Sequence, residues 1–212
     1  MDIPIAPNLF ILLATLILLG ISFHETRRIK AEKFLRRSLR FLLTVLLLGI
    51  LSNLLLNLSV PTPFSPRLSL LHFAVLPYIT LLLLYALHRS RGFTPGRILL
   101  YSFPLTALYV VSISSGSIET VEWVLGTGVN FTGVWSLFLT VLNLSFFLMF
   151  FPLAIIVSRK EEVKKKSLTL FLIVLLNSLF GILEPLIEAS ISHLIILPLL
   201  LAFCWIMRGY KD

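Results

Sequence analysis

The chain has 212 residues, of which 58% are hydrophobic and only 13% charged, with a net charge of +8. A soluble domain carries roughly 25% charged residues, so this share is too small to solvate a whole surface, and lipid is the predicted solvent for most of the chain. The single cysteine, Cys204, excludes an intrachain disulfide and a cysteine-based metal cluster, and the absence of glutamine gives a thermophile-like composition.

A helix needs about 20 mostly apolar residues to cross a bilayer. The first such run covers about 9–23. Asp2 precedes it and a basic cluster follows it, the reverse of a signal peptide's charge order, so it reads as a retained first span. The segment HETRRIKAEKFLRRSLR follows and is expected to continue a helix past the headgroups, with Glu25 and Glu32 in intrahelical pairs. Further spans are predicted at about 41–60, 69–87, 98–115, 135–158, 167–187 and 190–207. The breakers between them are PTPFSPR, HRSRGFTPGR, a Gly- and Ser-bearing stretch at 116–134, and RKEEVKKK.

Lys and Arg sort onto alternate connectors. Seventeen of the 18 fall on the first, third and fifth connectors and the C-terminal end, leaving Arg67 on the other side. Basic residues stay cytoplasmic. The expected fold is therefore an all-α integral membrane protein, one domain over 1–212. It is a seven-transmembrane helix bundle, multi-pass in the cell membrane, N-terminus outside and C-terminus cytoplasmic. The positive charge then belongs to topology and to membrane lipids as partners, not to nucleic acid.

Ionisable groups inside a span are expensive and mark candidate sites. Asn177, Gly181, Glu184 and Glu188 fall within about 60° of one another on the sixth span at 100° per residue. Asn57 near the outer end of the second span, His72 at the start of the third and His193 at the start of the seventh reach a similar height. Asn143 lies about 12 Å down the fifth. These seven residues, Glu184, Glu188, His193, His72, Asn57, Asn177 and Asn143, outline a candidate outward-facing polar pocket. Alternatively, Glu188 and His193 are solvated caps of a tight turn, and the asparagines are interhelical glue worth about 0.6 kcal/mol each. A buried Glu184 needs a partner or a raised pKa. The outer segment SGSIETVEWVLGTGVNFTGVW forms either a lid or a membrane-surface loop, and its Asn130 heads a glycosylation sequon. Tryptophan and tyrosine near span ends fit aromatic belts.

No span contains a lysine for a retinal Schiff base, and HExxH, GxSxG and a Gly-rich phosphate loop are absent. Neither enzyme activity, a cofactor nor a metal site is expected.

The segments LHFAVLPYITLLLLYALHRSRGF (71–93) and FPLAIIVSRKEEVKKKSLTLFLIVLLNSLFGILEPL (151–186), in a seven-span layout, resemble the N-terminal seven-helix sensor region of histidine kinases and related signalling proteins. That likeness implies a sensor. The family continues into cytoplasmic signalling domains, whereas this sequence stops at Asp212, so it also implies a separate cytoplasmic or membrane protein partner. The functions in contention are a receptor- or sensor-like module, a small transporter or its substrate-binding membrane subunit, and a membrane subunit of a complex that binds no ligand.

Overall fold

The computed structural model describes residues 5–29, 32–58, 65–88, 94–114, 118–123, 126–131, 160–187 and 192–210, with 141, 144 and 148 between them. At some positions, 180–187 and 192–195 among them, it describes backbone alone. The chain is mostly helical. Helix α1 is Ile5–Glu25, followed by a 3-10 turn at Thr26–Arg28. Helix α2 is Lys33–Asn57, α3 is Ser65–Ser69, α4 is Leu71–His88 and α5 is Pro95–Ser114. Strands β1 (Ile118–Trp123) and β2 (Gly126–Phe131) come next, then α6 (Glu161–Ile187) and α7 (Ser192–Arg208).

Helix limits follow local chemistry. Thr94 caps α5, its Oγ1 accepting from the Arg97 N–H at 3.4 Å, with Pro95 at the first helical position where its missing donor costs nothing. Glu161 and Glu162 occupy the first turn of α6, the favourable end for a carboxylate. The basic segment 33–40 is helical, so α2 begins eight residues before the apolar run predicted at 41. The run expected at 69–87 divides into α3 and α4. The run expected at 135–158 falls largely outside the described residues; Val141, Leu144 and Leu148 within it are helical.

One element departs from an all-α bundle. Residues 118–123 and 126–131, expected as loop, form an antiparallel strand pair in which Ile118 faces Phe131 and Trp123 faces Gly126. It packs on α3 and on α2.

Helix α4 occupies the centre, in contact with α2, α5, α6 and α7. Its residues Leu81, Leu82, Leu83 and Leu84 are all buried, as expected for a helix that is apolar all round. Helix α1 packs between α2 and α7, and α7 also packs on α6. The ends of α1, α4 and α7 meet the starts of α2 and α6. We call this the basic end, because Arg28, Arg40, Lys166 and Arg208 gather there.

Among the described residues, many large apolar side chains are exposed. Phe10, Ile17, Phe41, Leu100 and Phe103 are each about two-thirds exposed or more, and Leu168, Leu172, Leu176 and Leu179 make an exposed stripe along α6. Hydroxyls turn inward and bond the carbonyl one turn back. Thr15 donates to Ile11 O at 2.7 Å, Ser22 to Leu18 O at 2.8 Å, Thr80 to Leu76 O at 2.8 Å and Ser102 to Ile98 O at 2.6 Å. Segments Leu9–Arg28 and Lys33–Asn57 are long and apolar enough to cross a membrane.

Truncating the centre tests this packing. Leu83→Ala is expected to cost about 2–5 kcal/mol, whereas Leu172→Ala on the outer stripe stays within about 0.5 kcal/mol in detergent. Thermal unfolding of the purified variants measures both.

Candidate functional site

Of the residues predicted for an outward pocket, Asn57 is the one whose side chain is described. It is buried at the last turn of α2, and its Nδ2 donates to Asn53 O at 2.9 Å and to Asn53 Oδ1 at 3.0 Å. The two asparagines, at i and i+4 on α2, are therefore a hydrogen-bonded pair within one helix. His72 is the second residue of α4, and His193 the second of α7. Asn177, Gly181 and Glu184 lie on the continuous helical backbone of α6, which keeps them on one face. The side chains of His72, His193, Asn177 and Glu184, and the whole of Glu188 and Asn143, lie outside the described residues, as does the side chain of Asn130 on β2. Among the described residues, no group of three or more His, Cys, Asp or Glu gathers in one place.

The polar chemistry that is described lies at the basic end. Glu25 is 3% exposed. Its carboxylate pairs with Arg28 Nε at 2.5 Å and, across the bundle, with Arg208 Nε at 3.4 Å. The pairing with Arg28 is the local one that sequence spacing suggests. Arg208, 183 positions away, ties the end of the first helix to the end of the last. One residue on, Thr26 Oγ1 accepts from Arg40 Nε at 2.9 Å and donates to Phe23 O at 2.7 Å, which brings α2 into the same network.

A second group joins α4, α6 and α7. His88 Nε2 and Ser167 Oγ are hydrogen-bonded at 2.9 Å. His88 follows the apolar run of α4, and burial lowers its pKa from the ordinary value, favouring the neutral ring. Lys166 is 5% exposed. Its ammonium is 2.7 Å from Glu162 Oε1 and 5.4 Å from the centre of the Trp205 ring. It also sits close under Gly209, at the C-terminal end of α7, where a cation complements the helix dipole. Trp205, expected in an interfacial belt, is thus also a cation partner.

Two cavities flank these groups. One, of about 380 Å³, runs between α2, α4 and α5; its wall is almost wholly apolar and includes Phe41, Val45, Val75, Tyr78, Leu82 and Thr106. Thr106 Oγ1 is buried there without a hydrogen-bond partner among the described residues. The other, of about 330 Å³, opens at the basic end beside Lys160, Glu162, Lys166 and Tyr210. No family model, curated protein or solved structure matches the chain.

Removing the central carboxylate measures the first network. Glu25→Gln leaves two arginines facing an amide and is expected to destabilise by about 1–3 kcal/mol. Arg28→Gln and Arg208→Gln, whose side chains are more than half exposed, each cost under about 1 kcal/mol. Thermal midpoints of the three variants give the ranking.

Burial holds His88 below the usual imidazole value of about 6.5. The unfolded chain therefore takes up this proton before the folded one does. The stability contributed is full above about pH 6.5 and is lost as pH falls through the lowered folded value. Thermal midpoints of the wild type should drop over that acidic window, and His88→Gln should flatten the drop.

Proposed function

We propose that the chain is a multi-pass membrane protein, seven spans with the N-terminus outside, that works as a receptor-like module for a lipophilic ligand. The membrane reading is supported by polarity at particular positions: Phe10, Phe41 and Phe103 are exposed, while Thr15, Ser22, Thr80, Asn53 and Asn57 are buried. Exposed apolar patches beyond a few hundred Å² signal a membrane or partner surface.

The observation that carries the ligand reading is the cavity between α2, α4 and α5. Its volume falls within the usual range for small-molecule sites, about 300–1,000 Å³. Thr15, Ser22, Thr80 and Ser102 bond their own backbone, whereas Thr106 Oγ1 at this wall has no hydrogen-bond partner among the described residues. That combination suits a largely hydrocarbon molecule with one polar atom. A buried hydroxyl left without a partner is unfavourable, and such a ligand relieves it.

The receptor reading follows from what the cavity walls do elsewhere. Helices α2 and α4 carry the Arg40–Thr26 and His88–Ser167 bonds at the basic end. A ligand that alters the spacing of α2 and α4 acts on both bonds, which is the differential contact a two-state switch requires. Glu184, on the backbone of α6, belongs to this reading as a second contact at the opposite end.

Mass spectrometry of the chain purified with its native lipid tests the cavity. A lipophile enriched with the wild type and lost from Val75→Trp, which fills the cavity, is the expected result. An identical profile for both removes the ligand reading. Net flux of the lipophile across proteoliposomes would turn the receptor into a transporter.

A further inference from the structure

At the basic end, α1 and α2 flank a crevice of about 460 Å³ lined by Gly20, Phe23 and His24 of α1, Arg27 of the 3-10 turn that follows it and Arg40 of α2. Gly20, Phe23 and His24 sit at offsets 0, 3 and 4, a single face of α1, and Arg27 follows on the 3-10 turn. The lining contains no carboxylate; nearby Glu25 is held by Arg28 and Arg208.

Arg40 is exposed yet held at one nitrogen. Its Nε donates to Thr26 Oγ1 at 2.9 Å, and Thr26 is fully buried with its own proton committed to Phe23 O. This leaves the two terminal amino groups of Arg40 as a fork for an acceptor, the geometry in which guanidinium matches phosphate. The opposite end of the crevice is apolar and open. A Cβ built on Gly20 meets nothing within 4 Å, and Ile17 and Ile21 beside it are exposed. Gly20 and Arg27 are about 10 Å apart along the helix axis. Hydrocarbon above and two guanidiniums below match the division of a phospholipid into acyl chain and phosphate.

We propose that this crevice binds an anionic phospholipid, its phosphate between Arg27 and Arg40 and an acyl chain beside Gly20. The site rests on the membrane reading, under which it lies at the headgroup level of one leaflet, where basic pockets between helices hold anionic lipid. It is separate from the cavity between α2, α4 and α5.

Native mass spectrometry of the detergent-purified chain, titrated with phosphatidylglycerol or phosphatidylcholine, tests it. The wild type should retain phosphatidylglycerol preferentially. Arg27→Gln should weaken that retention about fivefold, the contribution of one basic residue near an anionic surface. Gly20→Leu, which fills the open space without a clash, should abolish the preference while keeping the wild-type thermal midpoint. Equal retention of the two lipids by the wild type, or a preference that both variants keep, overturns the site. Inorganic phosphate at millimolar concentration should not displace the lipid; if it does, or binds the lipid-free chain, the anion site is not a lipid site. Alkaline carbonate extraction separates this from the broader reading. A chain stripped from membranes by carbonate removes the membrane reading and the crevice with it. A chain that stays in the pellet yet shows no lipid preference removes the crevice alone.

Discussion

A carboxylate at the end of an apolar helix has to be neutralised where it stands. Glu25 is buried, and desolvating a lone carboxylate is costly unless cations and hydrogen-bond donors answer it. Arg28 answers from the following turn and Arg208 from the far end of the chain. Apolar packing alone tolerates sliding and repacking; an ion pair between the ends of α1 and α7 does not. The Arg40–Thr26 bond adds α2 to the same fixed point. His88–Ser167 and Lys166 with Trp205 repeat the arrangement for α4, α6 and α7. Each of these contacts joins neighbouring helices at one level, so the register of the bundle is set at the basic end and hydrocarbon fills the remainder.

Within that remainder, polar groups are handled one helix at a time. Serine and threonine bond the carbonyl four residues back, so a hydroxyl can face the core without a partner on another helix. Asn57 does the same through Asn53. Contact across helices is correspondingly spare: the Ser22 hydroxyl and the Cys204 thiol approach to 3.5 Å between α1 and α7. Pro77, Pro104 and Pro198 each withdraw a backbone donor inside α4, α5 and α7. Pro104 lies two residues before Thr106, so the wall of the α2–α4–α5 cavity combines an interrupted backbone ladder with a hydroxyl that has no partner among the described residues.

Helix positions were legible in the sequence because apolar runs and basic connectors are properties of composition along the chain. The helical start of α2 at Lys33 was foreseen only as a continuation past the headgroups, since charged residues carry no hydropathy signal for a helix. The strand pair was not foreseen, because IETVEW and GTGVNF are short, and the glycines of the second read as loop. At the basic end, spacing exposes Glu25 and Arg28, three residues apart, but has no means of finding Arg208. Lys166 belongs to the run EEVKKK and looks solvated; its burial depends on where Trp205 and the end of α7 come to rest. For the α6 stripe, periodicity places Asn177, Gly181 and Glu184 on one face, and the helical backbone agrees. What that face meets is a tertiary matter that no periodicity contains.

Helix α2 is the element shared by both cavities. Phe41 and Val45 line the cavity toward α4 and α5, while Arg40 lines the crevice toward α1. Consecutive residues on a helix point about 100° apart, so 40 and 41 address different neighbours from a single turn. A rotation or tilt of α2 that widens one cavity necessarily moves the wall of the other. Because Arg40 also holds Thr26, next to Glu25, the same movement pulls on the ion pair that joins α1 to α7. On the proposed receptor reading, a ligand in the core needs no long relay to the basic surface: one turn of α2, from Phe41 to Arg40, leads to the buried carboxylate of Glu25.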